Sequence, residues 1–182
     1  MRIFWAQGYA AASVDMLSRD MHVPRASLYQ TYGDKERLFL ATVAHYGETR
    51  IAKVTARLDG GGALAADLAG FFEAVIALAT TDPQTPGCLV SCVLADAAGA
   101  NPQFRAELGR RFDAIEARLA ARLALARAQG DLATDADLTA LGGMLAAVAR
   151  GLMVRARAGS GAPVLYPMAA AAIRLVCSRS TR

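Results

Sequence analysis

The side chains best suited to specific chemistry lie close together near the start of the chain. Arg25 and Gln30 are five positions apart in a short segment that favours a helix. The fork of an arginine can bond O6 and N7 of guanine, and a glutamine amide can bond N6 and N7 of adenine. Ala26 and Ser27 are small enough to let the helix approach thymine methyl groups. This pattern predicts a helix that reads base edges in the major groove of DNA, although a solvated helix face would show the same residue types.

Two short helices joined by a turn would position these side chains. Ser13 can cap a helix over residues 14–21, and a second helix covers residues 25–31 after His22-Val23-Pro24. Two such helices of about two turns each form a helix-turn-helix, whose second helix enters the major groove.

Three further residues could hold the phosphate backbone beside such a helix. The hydroxyl of Tyr29 and the ammonium group of Lys35 can both bond phosphate oxygens. Ser13, together with the N-terminus of the helix that it caps, can hold another phosphate. The alternatives are partial core packing for Tyr29 and an ordinary surface position for Lys35.

Residues for other kinds of chemistry are sparse. The two histidines, His22 and His45, are too few for a His-based catalytic triad, and both are distant in sequence from Cys88 and Cys92. The run Gly60-Gly61-Gly62 lacks the lysine and the Ser or Thr of a phosphate-binding loop. We therefore predict a protein that is not an enzyme and that uses neither a metal nor a cofactor.

The composition favours an all-α fold. Hydrophobic residues make up 54% of the chain but aromatic residues only 7%, so alanine, the best helix former, supplies much of the total. The net charge of +4 is compatible with nucleic-acid binding, but arginine richness also arises from coding bias. Helical spacing of apolar residues predicts helices near 34–58, 63–79, 88–98, 102–129, 137–158 and 165–177.

Four motifs lie at fixed spacing within the first 45 residues. They are Phe4-Trp5-Ala6-Gln7-Gly8-Tyr9, Ser13-Val14, the run from His22 to Tyr29, and the run from Tyr32 to Phe39. Together they resemble the signature of TetR/AcrR-type bacterial transcriptional regulators, and Pro86-Gly87-Cys88-Leu89 is similar to a segment in some members.

The resemblance implies two domains and three partners. Residues 1–47 would form a helix-turn-helix DNA-binding domain, and residues 48–182 a helical effector-binding and dimerisation domain. The implied partners are a double-stranded DNA operator, a small-molecule effector of unknown identity and a second copy of the chain. The implied function is a ligand-responsive transcriptional regulator, expected to be a repressor. The DNA contacts would come from Ser13, Arg25, Ala26, Ser27, Tyr29, Gln30 and Lys35.

Two features differ from the family pattern. His22 stands where glycine is common, at a turn position that needs a positive φ, which histidine adopts at a cost of about 1 kcal/mol or less. Only three residues precede Phe4, so we expect a short first helix without a basic arm. The alternative function is therefore a helical small-molecule-binding protein that has lost DNA binding.

Aromatic and soft side chains identify an effector pocket only by residue type. Tyr46, Phe71, Phe72, Cys88 and Met144 are the residues expected there. Residues of these types more often belong to a plain hydrophobic core.

The cysteines allow either a functional or a purely structural interpretation. Cys88 and Cys92 lie four apart on one helix face, which is compatible with a thiol sensor or with two small buried residues. Their apolar neighbours favour burial. We predict that Cys92 is buried and inert, and that Cys88, at a helix N-terminus, is the more reactive thiol. With Cys177 the cysteines number three, which indicates reduced thiols in the cytoplasm.

The last two helices carry an apolar stripe that predicts a homodimer, the alternative being that one face of it is core within the chain. Without a partner, a stripe this broad would leave a large apolar patch in water. No uncharged apolar run reaches the ~18 residues of a membrane span, so we expect no membrane association. The residues predicted at the dimer interface are Leu138, Leu141, Leu145, Val148, Leu152, Met168 and Leu175.

Overall fold

A computed structural model describes residues 1–178, and within them the chain forms helices and no strands. The predicted all-α fold is therefore confirmed. The helices are α1 (Arg2–Ala11), α2 (Val14–Met21), α3 (Arg25–Tyr32), α4 (Lys35–Tyr46), α5 (Ala52–Thr55), α6 (Leu64–Thr80), α7 (Ala95–Ala98), α8 (Pro102–Ala128), α9 (Leu138–Arg157) and α10 (Ala162–Cys177).

Two π-helical segments interrupt this pattern. Gly47–Ile51 joins α4 to α5 in one continuous helical run, which ends with the 3-10 turn Ala56–Leu58. Leu89–Leu94 leads directly into α7. The sequence predicted helices at both places but not their wider winding, because apolar spacing does not distinguish π from α turns over one turn.

Side-chain caps fix where several helices begin. The Ser13 hydroxyl accepts a hydrogen bond from the backbone N–H of Met16 at 3.2 Å. The Asp34 carboxylate accepts from the N–H of Arg37 at 2.7 Å. The Asn101 side chain accepts from two backbone N–H groups at the start of α8. All three caps stand where the sequence predicted them, because a polar side chain satisfies donors that the first helical turn leaves unpaired.

The turn between α2 and α3 has the geometry that the sequence predicted. His22 adopts a left-handed conformation with φ of 52° and ends α2. The Ser18 hydroxyl donates to the carbonyl of Val23 at 2.7 Å, which ties the turn back onto α2. Leu17 and Leu28 are buried between the two helices. The turn and this contact set the direction in which α3 projects.

Aromatic rings join the N-terminal helices to the rest of the molecule. The ring centroids of Phe4 and Phe39 are 4.9 Å apart, and those of Phe39 and Phe104 are 5.1 Å apart. Tyr9 meets Phe104 edge-on at 4.9 Å. Since Phe104 belongs to α8, the first four helices share a core with the C-terminal helices.

The C-terminal core lies between α6, α8, α9 and α10. Phe71, Leu119, Leu145 and Leu165 are buried where these four helices meet. By length and composition α9 could cross a membrane, but it packs against α6, α8 and α10, and a single helix of this kind is weak evidence for a span.

Candidate DNA-binding surface and effector cavity

Helix α3 presents most of the predicted DNA-binding side chains to solvent. Arg25, Ala26, Tyr29 and Gln30 are exposed, and Ser27 is half-buried. The helix is anchored by Leu28, which is 4% exposed. One side of α3 is therefore open to solvent. It carries Arg25 and Gln30, which can each form two hydrogen bonds to a base, and the small residues Ala26 and Ser27.

Arg25 already has a protein partner in this structure. Its Nη1 lies 2.9 Å from Oδ1 of Asp15 on α2, and both side chains are half-exposed. Hydrogen bonding with Tyr29 and, next, the charge of Asp15 raise the pKa of the Arg25 guanidinium above its usual value. Arg25 therefore carries its charge at every physiological pH, and a DNA base must compete with Asp15 for it.

The predicted phosphate-binding residues at the edges are partly engaged within the protein. The hydroxyl of Ser13 caps α2, as described above. Lys35 donates from Nζ to the carbonyl of Ala10 at 3.3 Å, and its ammonium lies 4.5 Å from the centre of the Tyr9 ring. Burial lowers the pKa of Lys35. The lysine thus ties α4 to the end of α1, beside the α3 surface.

An apolar cavity of about 30 Å³ lies behind the DNA-binding helices. Its walls come from the α4–α5 run, α6, the Leu89–Leu94 segment, α8 and α9. A groove of about 190 Å³ adjoins it and shares Ile51, Thr55, Val90 and Ile115 with it. The lining residues are Ile51, Val54, Thr55, Phe71, Val75, Cys88, Val90, Ser91, Ile115, Ala146, Ala149, Arg150 and Met153.

The predicted pocket residues divide into three groups. Phe71 and Cys88 line the cavity. Tyr46 is fully buried and donates its hydroxyl to Cys88 Sγ at 3.4 Å, so it supports the cavity wall. Phe72 and Met144 do not line this cavity, which corrects the sequence interpretation. Phe72 packs edge-on against Phe71 in the core, and the Met144 side chain is 37% exposed on the outer face of α9.

Sequence reasoning missed Arg150, the one charged side chain in the cavity wall. Its guanidinium lies 3.8 Å from the centre of the Phe112 ring and donates to Glu116 at 2.6 Å. Its Nε is buried and has no hydrogen-bond partner among the described residues. The sequence did contain a signal for this residue, because Arg150 is the one charged residue in the apolar stretch between Leu138 and Val154.

The sequence prediction for the two neighbouring thiols is wrong about which one is accessible. Cys88 is 1% exposed, and its Sγ turns inward to accept from the N–H of Ser91 and the hydroxyl of Tyr46. Cys92 is only half-buried, and burial raises the pKa of its thiol. The reversal arises because Cys88 caps its helix with its own sulfur, a role that draws the side chain into the protein.

Tyr46 remains a neutral hydrogen-bond donor beside Cys88. Burial, followed by the proximity of Cys88, raises the pKa of Tyr46 far above its usual value. The link between α4 and the Leu89–Leu94 segment therefore does not depend on pH in the physiological range.

The predicted dimer residues lie on two different faces. Leu145 and Leu152 are fully buried in the chain's own core, so they cannot form the interface. Leu138, Leu141 and Val148 are partly buried against that core. Met168 and Leu175 are exposed, at 41% and 64%. Further large apolar side chains exposed on α9 and α10 are Met144, Val154, Val164 and Tyr166.

Residues 1–178 contain no group of three or more His, Cys, Asp or Glu side chains arranged to hold a metal ion. His22 and His45 are both exposed in the N-terminal helices, away from the cavity.

Family models match both halves of the chain. Residues 1–42 match the model described as bacterial regulatory proteins of the tetR family, and residues 65–170 match the tetracyclin repressor-like C-terminal domain. The transcriptional repressor ComR of Escherichia coli is 26% identical over 176 residues, which is 96% of this chain and 84% of ComR.

Solved structures show the same architecture. A cysteine mutant of the TetR-family regulator CifR, in complex with a 26-base-pair operator, superposes with a TM-score of 0.87 at 29% identity. The match covers 96% of this chain and 91% of CifR. A TetR regulatory protein from Rhodobacter sphaeroides gives a TM-score of 0.83 at 28% identity, covering 95% of this chain and 92% of that one. This chain therefore belongs to the TetR family of bacterial transcription regulators.

Proposed function

We propose that this transcription regulator is a homodimeric repressor whose affinity for its operator falls when a small molecule enters the cavity. One observation carries the proposal. The helical run of α4 and α5 begins at Lys35, separated from the end of α3 by two residues, and supplies Ile51, Val54 and Thr55 to the cavity wall. A ligand that moves this wall moves the helix that follows the recognition helix.

The free cavity is small, so an effector must enlarge it. Its volume of about 30 Å³ is well below the roughly 150 Å³ of an apolar protein cavity that holds benzene. Entry of a larger molecule requires the α4–α5 run or the Leu89–Leu94 segment to shift. Both segments contain π-helical turns at the cavity wall, and π turns occur often at functional sites. Two alternative windings of such a turn would give the two states that a switch requires.

The DNA contacts come from the residues on α3 and at its edges. Arg25 and Gln30 read bases, Ala26 and Ser27 allow close approach, and Tyr29 faces the phosphates. Ser13 and Lys35 flank the phosphate backbone. Residues 1–47 act as the DNA-binding domain and residues 48–182 as the effector-binding and dimerisation domain. The boundary then falls at the π-helical segment Gly47–Ile51.

We propose no enzymatic activity and a cytoplasmic site of action. The alternative of a binding protein that has lost its DNA contacts is not favoured. The α2 helix, the turn and α3 are complete in this chain, and the α3 surface is exposed.

A cavity-filling variant tests the regulatory part of the proposal. Ala149 lines the cavity and is buried, whereas Ala121 on α8 is exposed. Operator sequences would first be selected from random DNA by the wild-type protein. Ala149→Leu should lower operator affinity by mimicking an occupied cavity, and Ala121→Leu should not. Equal affinity of the two variants for the selected operator would contradict control through the cavity.

A further inference from the structure

Arg157 makes a long-range contact that the proposed function does not use. It is the last residue of α9, and its guanidinium reaches the first helix of the chain. Nη1 donates to the carbonyl of Trp5 at 2.9 Å, and Nη2 to the carbonyl of Ala6 at 3.4 Å. Nη1 also donates to the carbonyl of Pro86 at 3.4 Å. One side chain thus holds three backbone carbonyls from two segments.

The structure of α1 explains why these carbonyls are available. Gly8 interrupts α1 with φ of 81° and ψ of 169°, which are not helical values. A break of this kind deprives the carbonyls of the preceding turn of partners within the helix. A cation near such carbonyls is also favoured by the helix dipole. Arg157 therefore acts as a cap for the first part of α1, although it lies 152 residues after Trp5 and 151 after Ala6 in the chain.

The loop before Cys88 packs closely against the same point. Gly87 has φ of 80°, and a Cβ atom at this position would lie 2.9 Å from the carbonyl oxygen of Met153 and 3.0 Å from Cβ of Arg157. The N–H of Gly87 donates to the carbonyl of Ala79 at 2.8 Å. The loop, the end of α6 and the last turn of α9 therefore form a fixed support for the Arg157 side chain.

The contact continues into α4. The Trp5 ring meets the Tyr46 ring edge-on, with centroids 5.0 Å apart. Trp5 is buried, so a displacement of this turn of α1 disturbs the packing of α4. Arg157 thus connects α9, which carries part of the exposed apolar face, with the two helices that hold α3 in place.

We propose that Arg157 is a positioning residue for operator binding, which fixes the DNA-binding helices at one angle to the dimer helix α9. The inference rests on the proposed homodimer. In a dimer, the angle between α9 and the DNA-binding helices sets the separation of the two recognition helices. That separation determines which half-site spacing is bound. Arginine suits this role because its planar fork donates from two separate nitrogens, Nη1 and Nη2, whereas a lysine carries all three of its donors on one nitrogen.

The test measures half-site spacing, a property that a merely structural residue would not control. The operator selected by the wild-type protein would be compared with versions whose central spacer is one or two base pairs longer or shorter. Arg157→Ala should lower affinity for the best spacing about tenfold and flatten the dependence on spacing, with base preferences inside each half-site unchanged. Arg157→Lys should restore part of the spacing dependence. Arg155→Ala, an exposed arginine of the same helix turn, is the matched control and should retain the wild-type profile.

Three results would overturn the inference or its basis. A spacing profile for Arg157→Ala that keeps its shape, with or without a uniform loss of affinity, shows that Arg157 does not position the recognition helices. If Arg157→Ala unfolds below the assay temperature, the dependence of operator affinity on spacing is measured with Arg157→Lys instead. A profile of wild-type shape would again show that Arg157 does not position the recognition helices. A wild-type protein that is monomeric and selects single half-sites would contradict the proposed homodimer itself.

Discussion

The recognition helix and the outer face of α9 and α10 are both exposed, but they expose opposite kinds of side chain. Helix α3 presents Arg25, Tyr29 and Gln30, all of which are exposed in the free protein. The outer face of α9 and α10 presents Val154 and Leu175, which are 50% and 64% exposed.

The difference shows how each surface depends on its partner. Polar side chains of α3 remain hydrated without DNA, and their exposure costs little until a base or phosphate replaces the water. Exposed apolar side chains that lie together lower the free energy when a partner covers them. The two surfaces therefore suit different partners. The α3 surface suits the charged backbone and base edges of DNA, and the exposed side chains of α9 and α10 suit a second apolar surface.

The largest expected effect comes from placing charges on the apolar face. Met168→Glu combined with Leu175→Glu should yield monomers, because both side chains are exposed in the single chain and the carboxylates would be buried in a dimer. Operator affinity should fall on the order of a thousandfold or more, because one half-site alone provides too little binding energy. Sedimentation and operator titration measure the two effects.

A core leucine provides the control for this prediction. Leu145 is fully buried, and Leu145→Ala should lower the free energy of unfolding by about 2–5 kcal/mol. The variant should stay dimeric at temperatures where it is folded. A monomeric Leu145→Ala, or a dimeric double glutamate variant, would show that the interface has been assigned to the wrong face.

The next effect concerns the polar surface. Arg25→Ala should cost about 1–3 kcal/mol of operator binding and relax the preference at a single base pair. Arg37→Ala, which removes an exposed arginine from the first turn of α4, should weaken binding to all sequences equally or leave it unchanged. Titration against operator variants at each position distinguishes the two patterns. Unchanged affinity for Arg25→Ala would mean that this residue does not read a base.

The same contrast explains which features could be predicted from the sequence. The caps at Ser13 and Asp34 and the left-handed turn at His22 are local, since each depends on neighbouring residues alone. The exposed face of α3 follows from them. Leu145 and Met144 are adjacent on α9 and both apolar, and the packing of α6, α8 and α10 decides which one is buried. The cavity wall comes from five segments distant in sequence, so residue type alone could not separate Phe71, which lines the cavity, from Phe72, which does not.

Cys88 and Cys92 also differ in how far each is exposed to solvent. Cys92 should react with a small maleimide before Cys88, because Cys92 is half-buried and Cys88 is 1% exposed. Burial raises the pKa of Cys92, so its reactive thiolate forms at higher pH than in an ordinary cysteine. The rate of its reaction with maleimide should therefore still increase with pH at values where the rate for a model thiol has become constant. Labelling of the Cys92→Ser and Cys88→Ser variants across pH measures both rates. Faster modification of Cys88 would indicate that the segment before α7 opens in solution.

The smallest effect concerns Asp15, which pairs with Arg25 at 2.9 Å in the free protein. Asp15→Asn should raise affinity for operator and for unrelated DNA alike, because DNA no longer competes with a carboxylate for Arg25 or meets its negative charge. Exposed pairs of this kind contribute about 0.2–1 kcal/mol, so a severalfold increase is expected that shrinks as salt is added. Asp20→Asn, at another exposed position of α2, measures the charge effect without the pair. A lower operator affinity for Asp15→Asn than for Asp20→Asn would show instead that Asp15 holds Arg25 in the orientation that reads the base.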